Sequence, residues 1–230
     1  MADFVLIGGL WLRPEVWTEV QRALAAAGHR SHAVALPGQG DGDSSATLDD
    51  QLAEVLRVAG QAAGPPVMVG HSAAASLAWL AADRAPVAGV VFLGGFPQPD
   101  GRPYADFLPD SGEPVPFPGW ADFEGPDSAD LDAATRQRVE SAMVPVPPGV
   151  AQGTVRLQNP RRYEVPVTLI CPEFSPAEAQ AWLDAGELPE LAAVRHLRLV
   201  DLDSGHWPMF TQPERLAALL AEATADTARE

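Results

Sequence analysis

Short apolar runs alternate with amphipathic segments along most of this chain, and this alternation restricts its fold more than any other feature. Residues 4–7 form an apolar run that closes at Gly8-Gly9, and residues 34–36 form another. Between them, residues 15–27 carry apolar side chains at helical spacing and stop at Gly28. These segments predict a strand, a helix and a second strand.

The same unit recurs further along the chain. Residues 48–59 place apolar side chains on one helical face, and the apolar run at 67–69 ends at Gly70, before an alanine-rich helical pattern at 73–83. Further predicted elements are strands at 87–93, 167–171 and 197–202 and a closing helix at 213–223. Strands that alternate with helices indicate an α/β fold with a mainly parallel sheet covered on both faces.

Residues 97–160 interrupt this alternation. The segment is dense in proline, glycine and aspartate, and its clear helical pattern is confined to about residues 131–143. A structureless loop of this length is uncommon inside a compact domain, and 230 residues fit a single domain. We therefore expect one domain with a lid-like insertion at 97–160; a mobile acidic surface excursion is the alternative.

Composition restricts the partners and the compartment. The chain has 15 Lys and Arg against 31 Asp and Glu, and a net charge of −16 repels nucleic acids and anionic bilayers. No apolar stretch approaches the roughly 20 residues of a membrane helix. The single Cys171 has no partner for an intrachain disulfide. Since the N-terminus also shows no secretion signal, we expect a cytoplasmic protein that acts on a small molecule.

A serine stands where a strand is predicted to turn into a helix, in the sequence Gly70-His71-Ser72-Ala73-Ala74. Small residues two positions before and after such a serine avoid collisions in a tight turn that exposes the hydroxyl. Ala74 replaces the second glycine of the usual G-x-S-x-G pattern, and it too has no atom beyond Cβ. The alternative is an ordinary serine N-cap of the following helix.

This segment resembles the nucleophile elbow of the α/β-hydrolase superfamily. Residues 6–11 are similar to its oxyanion loop, with Gly8 where histidine is common, and residues 204–208 resemble its histidine loop. The three motifs occur in the family's order and extend over nearly the whole chain outside the insertion. The resemblance is strongest to small single-domain esterases, a group that includes plant methyl-ester esterases and hydroxynitrile lyases.

The resemblance implies a role for each motif. Ser72 would be the nucleophile, His206 its general base and then acid, and the backbone N–H groups of Leu10 and Ala73 the oxyanion hole. The family's chain order places the acid after the strand at 167–171, where Glu173 is the first carboxylate. The family more often has aspartate here, one or two residues later, so Asp100 and Asp203 stay open as alternatives.

Other residues near these motifs are candidates for substrate contact. Trp11 adjoins the oxyanion loop, Trp207 adjoins His206, and His71 occupies the variable position of the elbow. Aromatic residues also occur in the insertion, at Phe117, Trp120 and Phe123. These side chains either line an apolar pocket or serve as core and lid packing.

The sequence favours a serine hydrolase that cleaves a small apolar ester, lactone or thioester through an acyl-enzyme. Ser72 argues against epoxide opening and halide displacement, which use a carboxylate nucleophile. No metal-ligand motif or dinucleotide fingerprint is present, so we expect no cofactor. Carbon–carbon cleavage of the hydroxynitrile-lyase type is one alternative, although the chain contains no lysine to stabilise a leaving anion. A catalytically silent ligand-binding member of the family is the other.

Overall fold

A computed structural model describes residues 1–226 and contains one six-stranded sheet in the order β2-β1-β3-β4-β5-β6. All neighbouring strands are paired in parallel. The strands are β1 (Asp3–Ile7), β2 (Arg30–Ala33), β3 (Val67–His71), β4 (Gly89–Leu93), β5 (Val167–Cys171) and β6 (Leu197–Asp201). The predicted α/β fold class with a mainly parallel sheet is confirmed.

Helices connect the strands and cover the sheet. Short 3₁₀ turns precede α1, at Pro14–Trp17, and α3, at Ser72–Ala74. The α-helices are α1 (Thr18–Ala26), α2 (Leu48–Ala59), α3 (Ala75–Arg84), α4 (Ala133–Ala142), α5 (Pro148–Ala151), α6 (Pro176–Asp184), α7 (Pro189–Ala192), α8 (Pro208–Thr211) and α9 (Pro213–Asp226). None of the helices within residues 1–226 is long and apolar enough to cross a bilayer.

The hydrophobic core lies on both faces of the sheet. Every residue of β1, β3, β4 and β5 is buried, which explains why these strands are continuous apolar runs. Apolar residues of α2 and α3 belong to one core cluster, and those of α1 and α9 belong to the other. This layering holds the central strands rigidly and leaves the loops at their carboxyl ends free to carry a site.

The position of β2 differs from the predicted strand at residues 34–36. The strand is formed by residues 30–33, and the buried Val34 and Leu36 follow its last residue. Because β2 lies at the edge, its polar side chains stay partly exposed, and Arg30 binds Asp3 of β1 at 2.7 Å. The apolar pattern thus identified buried residues that follow the strand, and it missed the strand itself. Burial and strand pairing are separate properties, and the pattern reports only burial.

The insertion at 97–160 contributes to the core as well as to the surface. Val146, Val150 and Val155 are fully buried in the cluster that contains α2 and α3, and Leu131 belongs to the opposite cluster. Near the end of the insertion, the backbone N–H of Asn159 donates to the Asp83 carboxylate at 2.7 Å. Deleting the segment would therefore open both clusters, so single substitutions test its role better than truncation.

Candidate active site

The three motifs meet at the carboxyl edge of the sheet, where the strand order changes direction. The chain passes from β1 outward to β2 and then returns to β3 on the other side of β1. The loops that follow β1 and β3 therefore border a crevice of the kind that binds ligands in open α/β sheets. Gly9 and Ser72 lie on these two loops, and a Cβ atom added at Gly9 would be 3.0 Å from the Cβ of Ser72.

Ser72 has a strained backbone. Its φ of 55° is positive, and Trp11, with a φ of 64°, is the other non-glycine residue in this state among residues 1–226. Side chains rarely adopt this conformation, and it recurs at functional sites. A Cβ at Gly70 would lie 2.3 Å from the Ala74 carbonyl oxygen, and one at Gly95 would lie 2.4 Å from that of Ser72. Both glycines are therefore required for the turn to close.

The oxyanion loop presents a free backbone donor. Within residues 1–226 the N–H of Leu10 donates to no acceptor, although its side chain is buried. The buried Gln39 holds this loop in place, because its side-chain amide donates to the Gly9 carbonyl at 3.1 Å. A fixed and unpaired N–H beside Ser72 is the kind of group that stabilises a developing oxyanion.

His206 and Glu173 form a close pair. The Nδ1 atom of His206 is 2.6 Å from Oε1 of Glu173, and these side chains are 13% and 14% exposed. A Cβ at Gly94 would be 3.2 Å from Oε2 of Glu173 and 3.3 Å from His206 Nδ1, so Gly94 makes room for the pair. A carboxylate at Nδ1 keeps the proton on that nitrogen and leaves Nε2 as the basic atom.

The Gly94-Gly95 turn lies between the imidazole and the serine. Gly94 adjoins the His206 ring, and Gly95 adjoins the Ser72 backbone. Among the hydrogen bonds of residues 1–226, none joins the Ser72 hydroxyl to His206. Such contacts are often long without substrate and shorten in the reacting complex.

The two alternative acids lie elsewhere. The carboxylate of Asp100 accepts from the backbone N–H of Leu157 at 2.8 Å, so it fixes the path of the insertion. Asp203 is exposed and lies beside Arg215 in a separate surface depression. Of the three carboxylates considered from the sequence, the structure brings Glu173 to His206.

His71 is a buried neutral residue beneath the site. Its Nε2 atom is 2.8 Å from the carbonyl oxygen of His206, and the two rings are 4.8 Å apart at their centroids. Burial and the neighbouring His206 lower the pKa of His71 to about 3. The neutral ring therefore donates through Nε2 and supports the histidine loop, so its position indicates a structural role more than substrate contact.

This burial predicts a pH-dependent stability. The folded pKa of His71 lies below its unfolded value, so the unfolded state binds a proton first and stability falls as the pH drops below about 6.5 toward 3. We expect His71→Gln to be less stable than the natural protein at pH 7. That gap should narrow by about 1.4 kcal/mol per pH unit below 6.5. Urea unfolding at pH 7, 6 and 5 measures the free energy of unfolding of both proteins. A difference between them that does not change with pH would contradict the prediction.

The insertion holds the histidine loop, which the sequence did not reveal. The backbone N–H of His206 donates to the Asp127 carbonyl at 2.7 Å. One carboxylate oxygen of Asp130 accepts from the Gly205 N–H at 2.9 Å, the Ser204 hydroxyl at 3.0 Å and the Thr211 hydroxyl at 2.7 Å. Sequence separation hides these contacts, because residues 127–130 are more than 70 positions from the loop they hold.

The Asp127 side chain adds a second carboxyl group near the pair. Burial and the charge of Glu173 raise the pKa of Asp127, while the neighbouring His206 opposes that shift. Three titratable groups from separate parts of the chain therefore face His206: Glu173 after β5, His71 at the end of β3 and Asp127 in the insertion. The electrostatic environment of the imidazole depends partly on the insertion.

The aromatic residues singled out in the sequence pack against one another. Phe123 contacts both Trp11 and Trp207, with ring centroids 6.1 Å and 5.2 Å away, and stacks on Phe117 at 5.5 Å. Trp120 contacts Trp207 at 5.2 Å. Trp11 also donates from its indole N–H to the Val115 carbonyl at 3.1 Å. This aromatic cluster attaches the insertion to the loops that follow β1 and β6.

A small cavity opens beside Ser72. Its volume is about 170 Å³, and Ser76, Phe96, Tyr104 and Phe107 contribute to its wall. A larger cavity of about 490 Å³ lies behind the oxyanion loop, but Ser72 does not line it. The smaller cavity is the candidate substrate site, because Ser72 lines it. Ligand cavities for whole drug-sized molecules are about 300–1,000 Å³, so this one holds one part of a small substrate.

Comparison with known proteins agrees with this architecture. A model of the alpha/beta hydrolase family matches residues 4–219. A search of curated proteins finds no match.

Solved structures share the fold over almost their full length. One is an extracellular alpha/beta-hydrolase from a Paenibacillus species, which is described as sharing structural and functional homology with tobacco salicylic acid binding protein 2. It is 19% identical to this chain with a TM-score of 0.80, and the match covers 97% of this chain and 99% of that one. A methylesterase from Arabidopsis is 18% identical with a TM-score of 0.78, over 98% and 99% of the two chains. A pyrethroid hydrolase from Sphingobium faniae JZ-2 is 21% identical with a TM-score of 0.70, over 100% and 99%. At these identities the likeness establishes a shared fold.

Proposed function

Because this chain belongs to the alpha/beta hydrolase family, we propose that it hydrolyses a small ester through an acyl-enzyme on Ser72. The observation that carries the proposal is the His206–Glu173 contact of 2.6 Å beside a serine whose backbone φ is 55°. A serine hydroxyl is a weak nucleophile until a positioned base removes its proton. The site holds such a base, with a carboxylate behind it.

The proposed reaction has two halves. In the first, His206 Nε2 takes the Ser72 proton as the serine oxygen attacks the ester carbonyl, and the imidazolium then protonates the leaving alcohol. In the second, His206 activates water, which attacks the acyl-enzyme and releases the acid. The Leu10 and Ala73 N–H groups would stabilise the oxyanion in both halves, and Glu173 would stabilise the imidazolium.

The insertion at 97–160 is proposed to act as a cover over this site. Its aromatic residues pack on Trp11 and Trp207, and its Tyr104 and Phe107 line the cavity at Ser72. A cover of this kind limits water near the imidazole and restricts the size of the substrate. Ester hydrolysis is also what the printed names of the methylesterase and pyrethroid hydrolase suggest for proteins of this fold.

Burst kinetics tests the acyl-enzyme directly. Mixing the protein with p-nitrophenyl acetate should release close to one equivalent of nitrophenol per site before the steady state, provided that deacylation is the slower step. If no burst appears, hydroxylamine should still intercept the acyl group as a hydroxamate. Steady turnover with neither a burst nor interception would rule out a Ser72 acyl-enzyme.

Two alternatives predict different results. A carbon–carbon lyase uses the serine and histidine to move a proton without acylation, so it would show no burst and no interception. A silent ligand-binding member would show no turnover of any ester. The chain contains no lysine to stabilise a leaving anion, which favours hydrolysis over the lyase.

A further inference from the structure

Tyr104 places an unpaired hydroxyl in the wall of the cavity at Ser72. Tyr104 is 2% exposed, and it lines the same cavity as Ser72. Among residues 1–226 no hydrogen bond reaches its hydroxyl, and that oxygen is not among the fully enclosed polar atoms without a partner. The hydroxyl is therefore at least partly accessible, and the cavity at Ser72 is the space that Tyr104 lines. A buried polar group without a partner calls for an explanation.

The protein fixes this tyrosine firmly in place. Its backbone N–H donates to the Gly153 carbonyl at 2.8 Å, and Pro103 forms an isolated bridge with Thr154. Burial raises the pKa of Tyr104, so the hydroxyl stays protonated at neutral pH and can donate. A rigid, protonated donor that faces a cavity selects for an acceptor on whatever fills that cavity.

The rest of the wall indicates that the acceptor is neutral. The wall combines the rings of Phe96 and Phe107 with the uncharged Gln98, and no Lys, Arg or His side chain of the described residues lines the cavity. Gln98, which lines the cavity, and Arg102 both donate to the carboxylate of Asp106, so Arg102 is already paired. With a net charge of −16, the protein offers no compensation for a buried anion here.

We propose that Tyr104 is a specificity-determining residue that donates a hydrogen bond to a neutral oxygen, such as a keto, ether or hydroxyl oxygen, on the substrate group that lies beside Ser72. This inference rests on the proposed ester hydrolysis and names its substrate class: small esters with an apolar body and one neutral acceptor. Without such an acceptor, the ester would displace solvent from the Tyr104 hydroxyl and leave it unpaired.

A matched pair of substrates tests the acyl side. The p-nitrophenyl esters of 4-oxopentanoic acid and 4-methylpentanoic acid have the same shape, but one carries a carbonyl oxygen where the other carries a methyl group. We expect kcat/KM to be about 10- to 100-fold higher for the oxo ester, since a site built for a hydrogen bond disfavours the analogue that lacks it. Acetate esters of 4-hydroxybutan-2-one and 3-methylbutan-1-ol provide the equivalent pair on the alcohol side.

Tyr104→Phe is the decisive variant, because it removes the hydroxyl and keeps the ring. We expect the preference for the acceptor ester to fall to within about threefold of unity, because the oxo ester loses its hydrogen bond and the apolar ester no longer leaves a hydroxyl unpaired. Tyr163→Phe is the matched control. That hydroxyl binds Arg162 and Glu190, away from Ser72, so its loss should leave the preference unchanged. A preference that survives Tyr104→Phe, or no preference in either pair, would overturn the inference.

A binding measurement separates this inference from the proposed function. The unreactive amides 4-oxopentanamide and 4-methylpentanamide can be titrated into the natural protein and Tyr104→Phe and followed by NMR, with no need for turnover. Tighter binding of the oxo amide to the natural protein alone supports Tyr104 even if ester hydrolysis fails. Equal binding of both amides to the two proteins would contradict Tyr104 even if esters are hydrolysed.

Discussion

We expect the Ser72→Ala protein to fold normally and to lose ester hydrolysis. Alanine retains the Cβ atom that the strained turn already accommodates, so the elbow with its φ of 55° loses only the hydroxyl. Removing the nucleophile of a serine hydrolase costs up to about 10⁶-fold in kcat in the best studied case, and we expect a loss approaching that size. Steady-state turnover of p-nitrophenyl esters, together with circular dichroism and thermal unfolding of the same samples, measures both parts.

The controls for this result are two further variants. Ser141→Ala removes a hydroxyl on α4 that bonds to the Arg138 carbonyl, so turnover should stay at the natural level. His206→Ala should be nearly as damaging as Ser72→Ala, and the double variant should be little worse than either, because base and nucleophile act as one unit. Full activity in a folded Ser72→Ala protein would show that Ser72 is not the nucleophile. If the losses in the two single variants add up in the double variant, Ser72 and His206 do not act as one unit.

The second large effect is expected at Glu173. Its carboxylate, 2.6 Å from His206 Nδ1, would fix the imidazole tautomer and stabilise the imidazolium that forms as Ser72 attacks. Glu173→Gln keeps the shape and removes the charge, so kcat should fall far more than KM changes. In a serine protease the equivalent change lowers kcat by about 10⁴-fold, which is an upper guide here.

Two other carboxylates serve as comparisons for Glu173→Gln. Asp203→Asn should be mild, because Asp203 is exposed beside Arg215. Asp100→Asn should lower stability more than kcat, since it weakens the hydrogen bond to Leu157. All the variants are assayed at the same pH. If kcat is near normal in Glu173→Gln but falls sharply in one of the aspartate variants, that aspartate is the catalytic acid and Glu173 is not.

Local patterns in the sequence were enough to predict most of the fold. The strands β1, β3, β4 and β5 are buried on both faces, so hydrophobicity alone marks them. The helix at Leu48–Ala59 has the predicted bounds, and its capping box at Thr47 and Asp50 is a local signal. The edge strand β2 was misplaced because one-sided pairing allows polar residues that an apolar pattern cannot detect.

The candidate site was predictable only where chemistry follows from a short motif. Ser72, Glu173 and His206 stand in the loops that follow β3, β5 and β6, and parallel strands bring their carboxyl ends to one edge. Gly95, Gln39 and Tyr104 gave no such signal, because their importance comes from contacts with residues far away along the chain. Asp130 was likewise invisible, since its three donors lie more than 70 positions later. The catalytic roles themselves remain predictions.

Labelling with a fluorophosphonate probe tests the central claim most directly, because the probe phosphonylates only a serine that a neighbouring base has activated. Intact-mass measurement should show one phosphonyl group per natural protein, and peptide mass spectrometry should locate it on Ser72. Ser72→Ala should take up none, and His206→Ala should react far more slowly. Labelling at a different residue, equal labelling of Ser72→Ala, or no labelling under conditions that modify a known serine esterase would contradict the account.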